Sequence, residues 1–177
     1  MIKYWAETDI ALELLDWGII GFFYAMGFRL FNSVLMVCVG NICRSPMAEV
    51  LLIDQLSDGK HANVNIASAG VGALVGHEAD TTAKALMSEK NIDVTAHRAR
   101  QLSAELLSEY DLILVMEKGH INAVYNIAPS SKGKVHLLGK WSDFEISDPY
   151  MQSRREFEVA LELIERGIDE WVEKVFS

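Results

Sequence analysis

Cysteine and proline are scarce, with two of the first and three of the second in 177 residues. Two cysteines five positions apart cannot staple a secreted framework, so a reducing, cytoplasmic setting is expected and any cysteine function is a reactive one. So little proline, with half of the residues hydrophobic and 23% charged, excludes a disordered, collagen-like or low-complexity chain. A basic surplus is missing as well. With 16 Lys and Arg against 25 Asp and Glu the net charge is −9, which excludes a general nucleic-acid binder, because phosphate backbones are held by excess cations. An anionic ligand must therefore meet a local positive site. Near the N-terminus the uncharged stretch 17–28 falls short of the ~20 residues that span a bilayer, so no stable membrane insertion is expected. Glu7, Asp9, Glu13 and Asp16 precede it where a signal peptide needs basic residues. Residues 1–30 are expected to form an N-terminal extension, either an upstream leader with Met26 as the natural start or an amphipathic helix. Residues 31–177 are expected to form one domain. Lys3 against those four acids gives the N-terminal end −3, so the remainder carries −6 and is acidic by itself. The spacing of Gly70, Gly72 and Gly76 does not fit a dinucleotide fingerprint, and no Gly-Lys-Ser/Thr phosphate loop occurs.

What is present is an alternation of strands and helices. Residues 34–39 form an apolar run rich in valine, as expected of a strand buried on both faces. Shorter strands are expected at 64–67, 112–115 and 135–138. Pro46 predicts a helix opening over 46–53, since a first turn has no use for its missing N–H. Further helices fit 79–90, 103–108, 119–127 and 154–175, the last with Phe157, Leu161, Ile164, Ile168 and Val172 on one face. Strands joined through helices imply an α/β fold: a parallel sheet covered on both faces, with ligands at the carboxyl ends of its strands.

The first strand delivers Cys38 at that end. Val39, Gly40, Asn41, Ile42, Cys43, Arg44 and Ser45 then form a tight loop before the helix. Loop amides and a helix N-terminus converging on one spot favour a phosphate or another oxyanion, and Arg44 adds a planar fork for two of its oxygens. The same field favours thiolate over thiol, which makes Cys38 a nucleophile at neutral pH. Gly40 and Asn41 suit the positive φ that converging amides require, and Ser45 is placed to donate to the sulfur. Phosphoryl transfer to a cysteine also needs a proton donor for the leaving group, which later serves as base toward water. Asp143, Glu145 and Asp148 share one acidic stretch, and spacing does not choose among them. Neither His nor Cys recurs at ligand spacing, so no metal and no cofactor are expected.

Segment 37–49 resembles the phosphate-binding signature of the low-molecular-weight protein tyrosine phosphatases. The similarity continues through Ser68-Ala69-Gly70, 96–101, 111–116 and Asp148-Pro149-Tyr150. The resemblance implies a phosphotyrosine phosphatase I-like fold, a three-layer α/β/α sandwich around a four-stranded parallel sheet of order 2-1-3-4. It implies hydrolysis of protein phosphotyrosine with Cys38, Arg44 and Asp148 as catalytic residues, the Asp-Pro dipeptide selecting Asp148, and an acidic pH optimum. It also implies that Asn41 is held in a strained conformation by Ser45, Ser68 and His97. Cys43 occupies the place of the family's second active-site cysteine, which closes a reversible disulfide with the nucleophile; by residue type alone it is equally a small apolar filler. Tyr150 and the loop 71–77, Leu74 in particular, are the expected substrate walls. Leu74 and Met151 are similar to the bacterial branch associated with exopolysaccharide and capsule export, whose partner is a membrane tyrosine autokinase. A monomer or weak dimer is expected. Two rivals are a thiol-dependent arsenate reductase of the same fold, which needs cysteines beyond Cys43, and a non-catalytic phosphotyrosine-binding module, for which the motif is needlessly complete.

Overall fold

A computed structural model describes residues 31–57 and 63–176. The expected extension, 1–30, lies outside the described residues. Four strands, β1 (Ser33–Cys38), β2 (Asn65–Gly70), β3 (Leu112–Val115) and β4 (Val135–Leu137), make one all-parallel sheet in the order β2-β1-β3-β4. This is the expected order. Side chains alternate across a strand, and both faces of β1 are apolar, so the sheet carries two cores. Val34, Met36, Leu112 and Leu114 pack beneath α1 (Arg44–Gln55), α2 (Thr81–Glu89) and α5 (Arg154–Trp171). Leu35, Val37, Ile113 and Val115 pack against α3 (Ala104–Ser108) and α4 (Lys118–Ile127). At about 1.5–3 kcal/mol for each fully buried aliphatic side chain, β1 alone contributes a large part of the fold's stability. The central strand therefore holds Cys38 on a rigid support, level with Gly70 of β2.

Several boundaries differ from the expected ones, each for a physical reason. Helix α1 starts at Arg44, two residues before Pro46, which sits third in the helix among N–H groups that have no intrahelical acceptor anyway. Strand β2 runs to Gly70, beyond residue 67, because Ser68-Ala69-Gly70 pairs in register with the end of β1; tertiary pairing outweighs the low strand propensity of these small residues. Helix α2 begins at Thr81 because Asp80 caps it, accepting the Thr82 N–H at 2.7 Å. Helix α5 stops at Trp171, and a π turn over Val172–Phe176 rotates Val175 and Phe176 into the core while Val172 is only partly buried. No helix among the described residues is long and apolar enough to cross a membrane.

Candidate active site

Between the end of β1 and the start of α1 the chain curls around the Cys38 sulfur. Its carbonyls from Cys38 to Ile42 are drawn outward by the surrounding segments. Cys38 O accepts the Val71 N–H at 3.0 Å, Val39 O that of Gly72 at 3.1 Å, Gly40 O that of Leu74 at 3.0 Å and Ile42 O that of Asp80 at 2.7 Å. Asn41 O takes His97 Nε2 at 2.7 Å, and since a carbonyl only accepts, His97 carries its hydrogen on Nε2. A trans peptide points its N–H opposite to its C=O, so outward carbonyls turn the loop amides toward the interior. The Asn41 N–H accordingly reaches Cys38 Sγ at 3.3 Å.

Asn41 is the pivot of this loop. It is fully buried at φ 56°, a left-handed conformation that asparagine tolerates better than most residues. Its Oδ1 accepts the Arg100 N–H at 2.9 Å, which aims Nδ2 the other way, onto Ser45 Oγ at 2.9 Å and Ser68 Oγ at 2.8 Å. Each serine, having accepted, keeps its own hydrogen for a further partner. Ser68 donates to Glu49 Oε2 at 2.5 Å, and Ser45 stands 2.9 Å from Cys38 Sγ with its hydroxyl free to donate to the sulfur. The Arg100 Nε–H locks the end of β2 by donating to Ser68 O at 2.7 Å. Glu49 and Arg100 were not expected here. Both lie in segments that carried the resemblance, yet a charged residue on a helix or loop has no chemical signal until the fold brings it to a partner.

Arg44 is 1% exposed and opens α1. It donates from Nη1 to Ile146 O at 2.8 Å and to Glu117, and from Nη2 to Asp148 Oδ2 at 2.7 Å. Its Nε has no partner among the described residues. Of the three acids left open by spacing, Asp148 meets the arginine, while Glu145 accepts the Lys118 N–H at 2.7 Å and Asp143 pairs with Lys118 Nζ at 3.2 Å. Glu117, also unexpected, lies just past β3, and the carboxyl end of a parallel strand was the signal that could have found it. Its N–H donates to His120 Nδ1 at 3.2 Å; burial pushes the His120 imidazole below its ordinary range, so the ring stays neutral. Cys43 is buried and free. Burial above all, then Asp80, Cys38 and Asp148, push its thiol far above the usual range, so it remains a thiol. Leu74, bonded through its N–H to Gly40 O, and Tyr150, two residues after Asp148, both stand partly exposed.

Comparison with known proteins follows the same outline. The sequence profile of the family described as low molecular weight phosphotyrosine protein phosphatase matches residues 33–176. The chain is 50% identical over 145 residues to the low molecular weight protein-tyrosine-phosphatase Wzb of Salmonella typhimurium, covering 81% of this chain and 94% of that protein. It resembles the crystal structure of the Erwinia amylovora tyrosine phosphatase AmsI with a TM-score of 0.78 and 44% identity, over 83% of this chain and 95% of the other. The structure of Vibrio vulnificus Wzb in complex with benzylphosphonate aligns with a TM-score of 0.76 and 45% identity, over 81% of this chain and 99% of that one. A cysteine ringed by inward amides, a buried arginine and a match along almost the whole described chain lead to one conclusion: this protein belongs to the low molecular weight phosphotyrosine protein phosphatase family.

Proposed function

We propose that this protein hydrolyses protein phosphotyrosine through a cysteinyl-phosphate intermediate. The observation that carries this is the set of outward carbonyls around Cys38, together with the buried Arg44 that opens the next helix and whose Nε has no partner among the described residues. A phosphate dianion entering the cradle takes Arg44 from Asp148, and the amides and guanidinium hold the oxygens on which charge gathers in the transition state. Cys38 Sγ forms its bond to phosphorus as the bond to the tyrosyl oxygen breaks, and Asp148 passes a proton to that oxygen. Water then attacks the cysteinyl-phosphate with Asp148 as base, phosphate departs, and the Ser45 hydroxyl supports the sulfur as it leaves. Leu74 and Tyr150 flank the ring of the substrate. Asn41, Ser68 and His97 hold the loop, and Cys43 is the partner of a reversible disulfide with Cys38 under oxidation.

The substrate is a membrane tyrosine autokinase that controls exopolysaccharide or capsule export, and the enzyme works in the cytoplasm as a monomer or weak dimer. Supporting this are the similarity to proteins named Wzb and AmsI and the residues Leu74 and Met151. Residues 31–177 carry the activity by themselves. The test is a panel of phosphotyrosine and phosphoserine peptides assayed with the wild type, Cys38→Ser and Asp148→Ala. Phosphotyrosine turnover lost in Cys38→Ser is expected. A preference for phosphoserine overturns the substrate class, and full turnover by Cys38→Ser overturns the nucleophile.

A further inference from the structure

Among the described residues six large apolar side chains stand exposed, and five of them, Val39, Leu74, Val75, Tyr150 and Met151, border the cradle. Val39 is in the loop itself. The other four ride on two β-turns. Leu74 O accepts the His77 N–H at 3.0 Å, which places Val75 and Gly76 at the centre of the first turn, Gly76 at φ 81°. Pro149 O accepts the Gln152 N–H at 2.9 Å, which places Tyr150 and Met151 at the centre of the second. Both turns need positive φ at their second central residue, a place suited to glycine, yet in the second turn it is Met151 at φ 61°. The first turn is tied to the cradle by the Leu74 N–H on Gly40 O, and the second by Asp148 on Arg44.

Val75 is 65% exposed and Met151 84%. A left-handed methionine with its side chain in water bears strain and gains no burial, so the fold derives nothing from it, and strain of this kind clusters at functional sites. Charges that flank the turns in sequence are already paired, Glu78 with Lys84 and Arg98, Asp148 with Arg44, and Arg154 with Glu89. What this rim offers a partner is apolar area. We propose that Val75 and Met151, with Val39, form a collar that buries the side chains on either side of the phosphotyrosine. The preferred substrate is then a protein segment with apolar or aromatic residues next to that tyrosine. The collar continues the walls made by Leu74 and Tyr150, and it rests on the phosphotyrosine activity proposed above.

The experiment compares kcat/KM on phosphotyrosine peptides flanked by leucine or phenylalanine, by serine, and by aspartate, and on p-nitrophenyl phosphate, for the wild type, Val75→Ser and Met151→Gly. The wild type is expected to favour apolar flanks about tenfold over serine, the factor given by burying part of one such side chain. Each variant is expected to lose most of that preference through KM, with a larger drop on the apolar-flanked peptides than on p-nitrophenyl phosphate, which has no flanking residues to bury. Met151→Gly relieves strain, so its thermal midpoint does not fall and a lost preference is not a folding defect. Equal kcat/KM across the peptides, or a preference that survives both substitutions, overturns the collar. So does specific activity that falls as enzyme concentration rises, which seats a second copy of the chain there instead. Turnover without flank preference removes the collar alone, whereas no turnover of any phosphotyrosine peptide removes the activity on which it rests.

Discussion

Arg44 engages two carboxylates and a carbonyl at once, which sets the terms on which an oxyanion enters. In the proposed mechanism Asp148 occupies a donor that the incoming phosphate takes, so substrate binding and release of the acid are one event. Asp148→Ala is therefore expected to act in two directions: kcat on phosphotyrosine falls by about 10²–10³ for want of the proton donor, while inorganic phosphate inhibits at lower concentration because its competitor is gone. Phosphate inhibition that is unchanged or weaker contradicts this exchange. Cys43, kept as a thiol by burial, is expected to escape iodoacetamide at neutral pH while Cys38 is labelled, as peptide mass mapping would show. At this scale the meeting of Cys38, Asn41 and Arg44 in one loop was legible because a buried strand ends and a helix opens on either side of it. Glu49, Arg100 and Glu117 were not. Glu117 stands 73 positions from Arg44 and Arg100 stands 32 from Ser68, and no local pattern encodes a contact across such gaps.

Elements place these residues, and two joints do most of it. At the end of β2, a Cβ added to Gly70 would fall inside contact with the Val39 carbonyl oxygen and press on Ala73. Gly70→Ala must shift the loop that aims its amides at the sulfur, and kcat/KM is expected to drop by about 10²-fold, the scale on which a displacement of roughly 1 Å acts. Wild-type activity in that variant would show the joint to be slack. Asp80 joins helix to cradle: its side chain caps α2 and its N–H holds Ile42 O. Asp80→Ala removes the cap but keeps the backbone bond, so a loss of about 1 kcal/mol in denaturant unfolding with kcat nearly intact is expected. Helix and strand identities were legible from apolar period. The ends were less so: the pairing of Ser68-Ala69-Gly70 with β1 is set by a strand distant in sequence, the π turn after Trp171 goes with burial of Val175 and Phe176, and the Asp80 cap, though local, is no part of the apolar period.

For the molecule as a whole, two cores on one sheet hold the strand ends in line, and the order of the strands followed from family resemblance, since apolar period shows only that the sheet is parallel. Stability as a function of pH is expected to bear the mark of His120. Its folded-state pKa lies below the ordinary value of 6.5 because of burial, so on acidification the unfolded chain takes up the proton first. The stability is complete above that value and declines as pH falls through it, and His120→Gln should flatten this part of the profile; an unaltered slope would clear the imidazole of any role. Removing residues 1–30 is expected to leave phosphotyrosine turnover intact. The cysteinyl-phosphate is sought by mass spectrometry of enzyme quenched in acid during turnover of a phosphotyrosine substrate, with Asp148→Ala used to slow hydrolysis of the intermediate. A phosphoryl group on the peptide carrying Cys38, absent in Cys38→Ser, is the predicted result. Phosphate on any other side chain, or steady turnover with no phosphorylated protein at any time, would contradict it.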